Sequence, residues 1–254
     1  MTNPSLVVII VHFGIEDEEE LDESQPPSAL RVAKRALALT ALTARAFLEL
    51  EGAGADEAEQ LQLIFAWVED LGICDEFEAD ELSFLETRIG ELEQSEIRNM
   101  TWRVEGLVIL AWALGLADVP AHDVMVDPHD MWREMGAFSI KRAEEILACS
   151  HLRSRDEIMV LTEKQFAVHW RLVDYSINPV CIDFADLASR CYFGPLDIEG
   201  LNLIDGDLSI GGIALSAVSE EAFGAALSCA LERHLAANWL MDGPELYSET
   251  TTDT

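Results

Sequence analysis

The sequence predicts a mainly α fold: a compact multi-helix domain with a small β-hairpin near residues 196–213 and an N-terminal strand ahead of it. Three observations predict this. Apolar residues recur at helical spacing over most of residues 28–241, helix-capping residues punctuate those stretches, and alternation at a spacing of two is confined to one segment around Asp205-Gly206.

Taken in order, Leu6 to Val11 is an unbroken aliphatic run. It is too short to cross a bilayer and lacks the basic start of a signal peptide, so it reads as a strand. Glu16 to Glu23 is almost wholly acidic and is followed by Pro26-Pro27, the composition of a solvated linker. Residues 1–27 are therefore read as strand plus acidic linker, and residues 28–254 as a single helical domain. A first helix over Ser28 to Leu50 follows from Leu30, Ala33, Leu37, Thr40, Ala44 and Phe47, and it carries a basic cluster of Arg31, Lys34, Arg35 and Arg45. Asp56, with Glu59 three residues on, predicts the N-cap of a second helix that ends at Gly72. A short helix is expected near Asp80 to Thr87.

The stretch Ser95 to Gly115 is the most informative. From Val104 to Leu116 its only charge is Glu105, so this helix is apolar around its whole circumference and belongs in the middle of the fold. Asp127-Pro128, Ser139 and Ser154 predict three further helix starts, the last running to Ile177 before Asn178-Pro179 stops it. The hairpin turns at Asp205-Gly206, and Ser219 caps a final helix to about Met241.

Charge bounds the function. Lys+Arg number 16 against 48 Asp+Glu, a net charge of -32, which repels phosphate backbones and anionic lipid headgroups. Nucleic acid and membrane are excluded as partners on that ground, and a basic protein is the macromolecule such a surface attracts. Adaptation to brine also yields acidic chains, but the plentiful Leu, Ile, Trp and Phe here show no thinning of the core. Five cysteines without a Cys-x-x-Cys pair predict reduced thiols and a cytoplasmic location.

Four segments resemble a bacterial family catalogued as domain of unknown function 4272. They are Val32-Ala33-Lys34-Arg35-Ala36-Leu37-Ala38-Leu39; Thr101-Trp102-Arg103-Val104-Glu105-Gly106-Leu107 with Ala111-Trp112-Ala113-Leu114-Gly115; His169-Trp170-Arg171; and Glu232-Arg233-His234-Leu235-Ala236-Ala237-Asn238-Trp239-Leu240 with the terminal Thr252-Asp253-Thr254. The resemblance runs from about Ser28 to the end, with the last motif the most specific. It implies a helical domain and supplies no reaction, ligand or cofactor.

Trp102, Glu105, Ile109 and Trp112 fall on one stripe of the central helix, and Glu232, Leu235, Ala236 and Trp239 on one stripe of the last. A carboxylate on an apolar face must be paired, protonated or bound, because an unpaired buried charge costs several kcal/mol. Arg103, Arg171, Arg233, His169 and His234 are the available partners. Two readings stay open. In one, Glu105, Arg171, Glu232 and His234 are catalytic candidates converging on a pocket; in the other, these side chains with Arg103, His169, Arg233 and Asn238 form a structural ion-pair network. His234 and Asn238, four apart, share a face. The terminal Asp253 is expected to meet the basic first helix.

No metal site or cofactor is predicted. The loop Ala121 to Asp130 gathers His122, Asp123, Asp127, His129 and Asp130, but in no recognisable ligand spacing, and Asp127 there serves equally as a helix cap. Asp205-Gly206-Asp207 opens like a calcium loop, but Ile210 stands where glycine is needed and Ser216 where glutamate is needed. No phosphate loop or nucleophile elbow is present. The function predicted is a non-catalytic intracellular binding or interaction protein; the alternative is an enzyme with a Glu/Arg/His pocket.

Overall fold

Ser28 starts the first helix by accepting a bond from the Arg31 amide on its hydroxyl, and α1 (Ala29–Glu51) follows. The computed structural model describes residues 25–52, 55–191 and 196–254. The expected strand at Leu6 to Val11 and the acidic segment from Glu16 to Glu23 lie outside the described residues. α1 is buried on nearly every side from Val32 to Ala46, far more deeply than an amphipathic pattern requires. Two of its four cations, Arg35 and Arg45, are thus withdrawn from the surface, while Arg31 and Lys34 stay partly exposed. Arg35 pairs with the buried Glu81, and Arg45 with Glu49 while also donating to the Thr87 carbonyl.

α2 (Ala55–Leu71) and α3 (Ala79–Glu86) pack around α1. The second helix begins one residue before Asp56, which therefore lies inside it rather than capping it. Then come α4 (Gln94–Ala113), α5 (Pro128–Met135), α6 (Ile140–Ala148) and α7 (Arg155–Ile177). Asp127 caps α5 through the His129 amide at 2.9 Å, and Ser154 with Glu157 forms a capping box on α7. Ser139 precedes α6 without making a side-chain cap. A short helix that the sequence reading omits, α8 (Phe184–Ala188), leads to the hairpin region.

Strands β1 (Leu203–Ile204), β2 (Asp207–Ile210) and β3 (Ile213–Ala214) form a three-stranded antiparallel sheet in the order β1-β2-β3, one strand more than a hairpin. Asp205 and Gly206 both have positive φ, 53° and 85°, the requirement of the tight turn between β1 and β2. A Cβ on Gly206 would also come within 3.2 Å of the Asp183 carboxylate, so glycine is needed twice over. The final helix is α9 (Glu220–Asp242).

α4 packs between α1 and α9, and α9 between α4 and α7. Gly106 lets α4 approach closely: a Cβ there would lie 2.7 Å from the Tyr247 hydroxyl and 3.4 Å from the Glu232 carbonyl. Two apolar clusters result. The larger holds α1, α4 and the C-terminal half of α9, with Trp239 fully buried, a side chain that alone contributes roughly 2–3 kcal/mol of burial. The smaller joins the second half of α7, Phe184, the sheet and the first half of α9. α7 and α9 thus run through both.

Candidate functional site

The central carboxylate predicted on α4 is Glu105, and it is sealed. Its Oε2 accepts from Nε of Arg233 on α9 at 2.8 Å, with Nη2 of the same guanidinium 2.7 Å away in the ion pair, and its Oε1 accepts the amide of Val126 at 2.9 Å. Arg233 in turn donates to the carbonyls of Ala121 at 3.1 Å, Pro120 at 3.4 Å and Val124 at 2.7 Å. Both side chains are essentially inaccessible. The pair satisfies nearly every valence it has and uses them to hold the loop after α4 against the helices. Beside it, burial first and the Glu105 carboxylate second push the Cys229 thiol up to about 12, so it stays a thiol.

Glu232, one residue earlier on α9, is less completely held. Burial pushes its carboxyl up, and the Arg103 guanidinium at 3.3 Å only partly counters this. Arg103 and Arg35 both lie over the ring of Tyr247, at 5.6 and 4.7 Å from its centroid. Burial likewise raises the Tyr247 hydroxyl, whose oxygen has no hydrogen-bond partner among the described residues.

His169 and His234 face each other with their Nδ1 atoms 3.0 Å apart, both buried. One nitrogen must donate and the other accept, so the two rings cannot both be protonated. Burial, and then the neighbouring His169, lower His234 to about 4; burial lowers His169 as well. Asn238 shares the face of His234, as its spacing predicts, and donates to the Thr251 carbonyl at 2.9 Å. The C-terminal tail therefore docks, but not through its carboxylate. Tyr247 inserts, Arg31 donates to the Glu245 carbonyl, and the Ser248 amide bonds Glu78 at 2.9 Å, whereas Asp253 is exposed and enters no ion pair among the described residues.

Arg171 does not join this group. Its guanidinium is forked onto Asp207, both bonds 2.7 Å, with further bonds to Asp174 at 2.7 Å and the Val180 carbonyl at 2.9 Å. Asp207 also accepts the Ile182 amide at 3.1 Å, so this second buried knot ties the sheet to α7. Of the four catalytic candidates, the geometry thus brings Glu105 and Glu232 near one another through α9, places His234 against His169, and sends Arg171 to a different partner. Asp207 and Glu81, which complete two of the four buried arginine pairs, escape the sequence reading because their partners lie 36 and 46 residues away; Glu49, four residues from Arg45 on the same helix, stood at a spacing that could have announced it.

The loop from Ala121 to Asp130 is a structural connector. His122 is buried with its Nε2 2.9 Å from the Ser209 carbonyl, and Asp123 accepts from Asn202 at 3.1 Å and the Gly211 amide at 3.0 Å. His129 is the solvated one, beside Asp127. Among the described residues no group of three His, Cys, Asp or Glu side chains is placed to hold a metal.

The sequence profile of a family described as a domain of unknown function, number 4272, matches residues 8–183. The chain belongs to that family. The match begins within the aliphatic run and spans the acidic segment, both expected to lie outside the resemblance, and it stops before the sheet and α9, where the expected fourth motif lies. Among curated proteins and among solved structures, nothing matches. Glu105 and the His169–Arg171 segment are inside the family match; Arg233, the partner of Glu105, is not.

Proposed function

We propose that this chain is a non-catalytic cytoplasmic binding protein whose exterior recognises a basic partner, with residues 28–254 acting as one helical domain. The observation that carries this reading is where the cations are. Arg35, Arg45, Arg171 and Arg233, four of only 16 Lys and Arg residues, are fully buried, each against its own carboxylate. The net charge of -32 is therefore carried on the outside, where the remaining cations are sparse. Such a surface speeds encounter with a positively charged protein and disfavours nucleic acid. Among the described residues no helix is long and apolar enough to cross a membrane. The closure of Glu105 by Arg233 and Val126 supports the non-catalytic side of the reading, since a general acid or base needs a free valence facing its substrate.

The test is capture from the source cell on immobilised full-length chain at about 50 mM salt, with an unrelated bait of matching net charge beside it. A defined basic protein retained by this chain, absent from the control and released by about 500 mM salt, is the expected result. Retention of the same set on both baits, or of nothing, overturns the reading.

A further inference from the structure

A cleft of about 490 Å³ opens between the end of α4, the middle of α7 and the loops 118–122 and 199–201, and a hollow of about 430 Å³ continues from it along α7. It lies where the two apolar clusters meet: Trp112 and Leu161 pack against one, Val168 belongs to the other, and all three line the cleft. The volume is that of a small-molecule site.

Two polar side chains in its wall offer hydrogen-bonding atoms. Gln165 is 5% exposed, and its amide, which bonds no group among the described residues, keeps contact with the solvent of the cleft. His122 is the second. Because its Nε2 faces a carbonyl oxygen at 2.9 Å, that nitrogen carries the hydrogen and donates, which leaves Nδ1, buried and without a partner among the described residues, as the acceptor of that tautomer. The cleft therefore offers an acceptor at His122 and both an acceptor and donors at Gln165.

Charge at the mouth selects the ligand. Among the described residues, Asp118 and Glu199 are exposed there and enter no ion pair, while the one lining cation, Lys164, is neutralised by Asp197 at 3.4 Å. Trp112 already carries one cation over its ring, the guanidinium of Arg153 at 4.8 Å. An anion would meet carboxylates, and a bare metal would find too few ligands. From this we infer that the cleft binds a small organic cation, an amine or guanidine on an apolar stem. Its N–H groups donate to His122 Nδ1 and the Gln165 carbonyl, its stem lies on Trp112, Leu161 and Val168, and its charge faces Asp118 and Glu199. This goes beyond the surface reading above and is independent of it: a basic protein partner can fail to appear while the cleft still fills, and the reverse.

Agmatine is the probe, titrated calorimetrically into the full chain at low salt beside neutral butylurea and a blocked Gly-Arg-Gly peptide. Saturable one-to-one binding of agmatine is expected, with butylurea at least about tenfold weaker, because a charge-assisted bond contributes well over 1 kcal/mol. Gln165→Leu should lower agmatine affinity about tenfold while the chain stays folded, and the Asp118→Asn/Glu199→Gln double variant should flatten the salt dependence. Peptide binding as tight as agmatine assigns the cation to a protein side chain; weaker peptide binding assigns it to a free amine. Absence of saturable agmatine binding, or equal binding by folded Gln165→Leu, overturns the inference.

Discussion

The Glu105–Arg233 pair and the Gln165–His122 cleft share one connector, the loop between α4 and α5, and treat buried polarity in opposite ways. In the pair, the guanidinium and carboxylate take up three loop carbonyls and one loop amide besides each other. In the cleft, the Gln165 amide faces the opening and the buried Nδ1 of His122 has no partner among the described residues. Burying a polar group without a partner costs the fold, so the closed knot is what stability alone would select, and the open wall is what stability alone would remove. The difference separates residues that hold the loop from residues that the held loop presents.

The largest expected effect is at the closed end. Glu105→Gln removes the charge that balances Arg233 while keeping the shape, and a buried guanidinium left uncompensated costs about 3–5 kcal/mol. For a chain of this length that lowers the melting temperature by about 10 °C. Glu105→Leu combined with Arg233→Met should recover part of the loss, and the remainder measures the loop carbonyls that Arg233 no longer satisfies. A melting temperature for Glu105→Gln within a degree or two of the parent would erase the distinction between pair and cleft.

How much of this was legible in the sequence follows the same divide. Helices α1 to α7 and α9 announce themselves through periodicity and caps, because Ser28, Asp127, Ser154 and Ser219 act locally on amides two or three residues away. The burial of Glu105 was legible too, since one charge in an apolar helix has to be enclosed. Its partner was only one of several arginines, because which one meets it depends on how α9 crosses α4 at Gly106. α8 is too short for a period, and Arg171–Asp207 joins a helix to a strand 36 residues on. Gln165 carries no signal at all. A glutamine on a helix is ordinary until the fold places it in the wall of a cleft.

The His169–His234 pair stands between the two cases, closed but without charge. His234 falls from 6.5 to about 4 through burial first and His169 second, so in the window between those values the unfolded chain binds a proton that the folded chain refuses. Stability from this pair is fully present above pH 6.5 and is lost as pH falls toward 4. Over that range it amounts to about 3 kcal/mol. Glu232 acts with the opposite sign: burial raises its carboxyl, so its contribution is present below pH 4.5 and is lost as pH rises through the raised value. Denaturant midpoints of parent and His234→Asn, measured from pH 4 to 7.5, separate the two, since only the histidine contribution disappears from the variant. Parallel curves would remove the neutral pair from the account.

The smallest effect is expected at the open end, and its sign carries the argument. Gln165→Leu replaces a cleft-wall amide that bonds nothing among the described residues by an apolar side chain of similar volume, between Leu161 and Val168 in the same wall. Nothing is left unpaired by the change, so the melting temperature should stay level or rise slightly, with a stability change within about 1 kcal/mol. The same class of substitution, one polar side chain exchanged for a near-isostere, thus destabilises by several kcal/mol at Glu105 and stabilises or does nothing at Gln165. If Gln165→Leu instead unfolds at a clearly lower temperature, the amide is serving the fold, the cleft is as closed as the ion pair, and a polar wall kept at a cost to stability is no longer what distinguishes it.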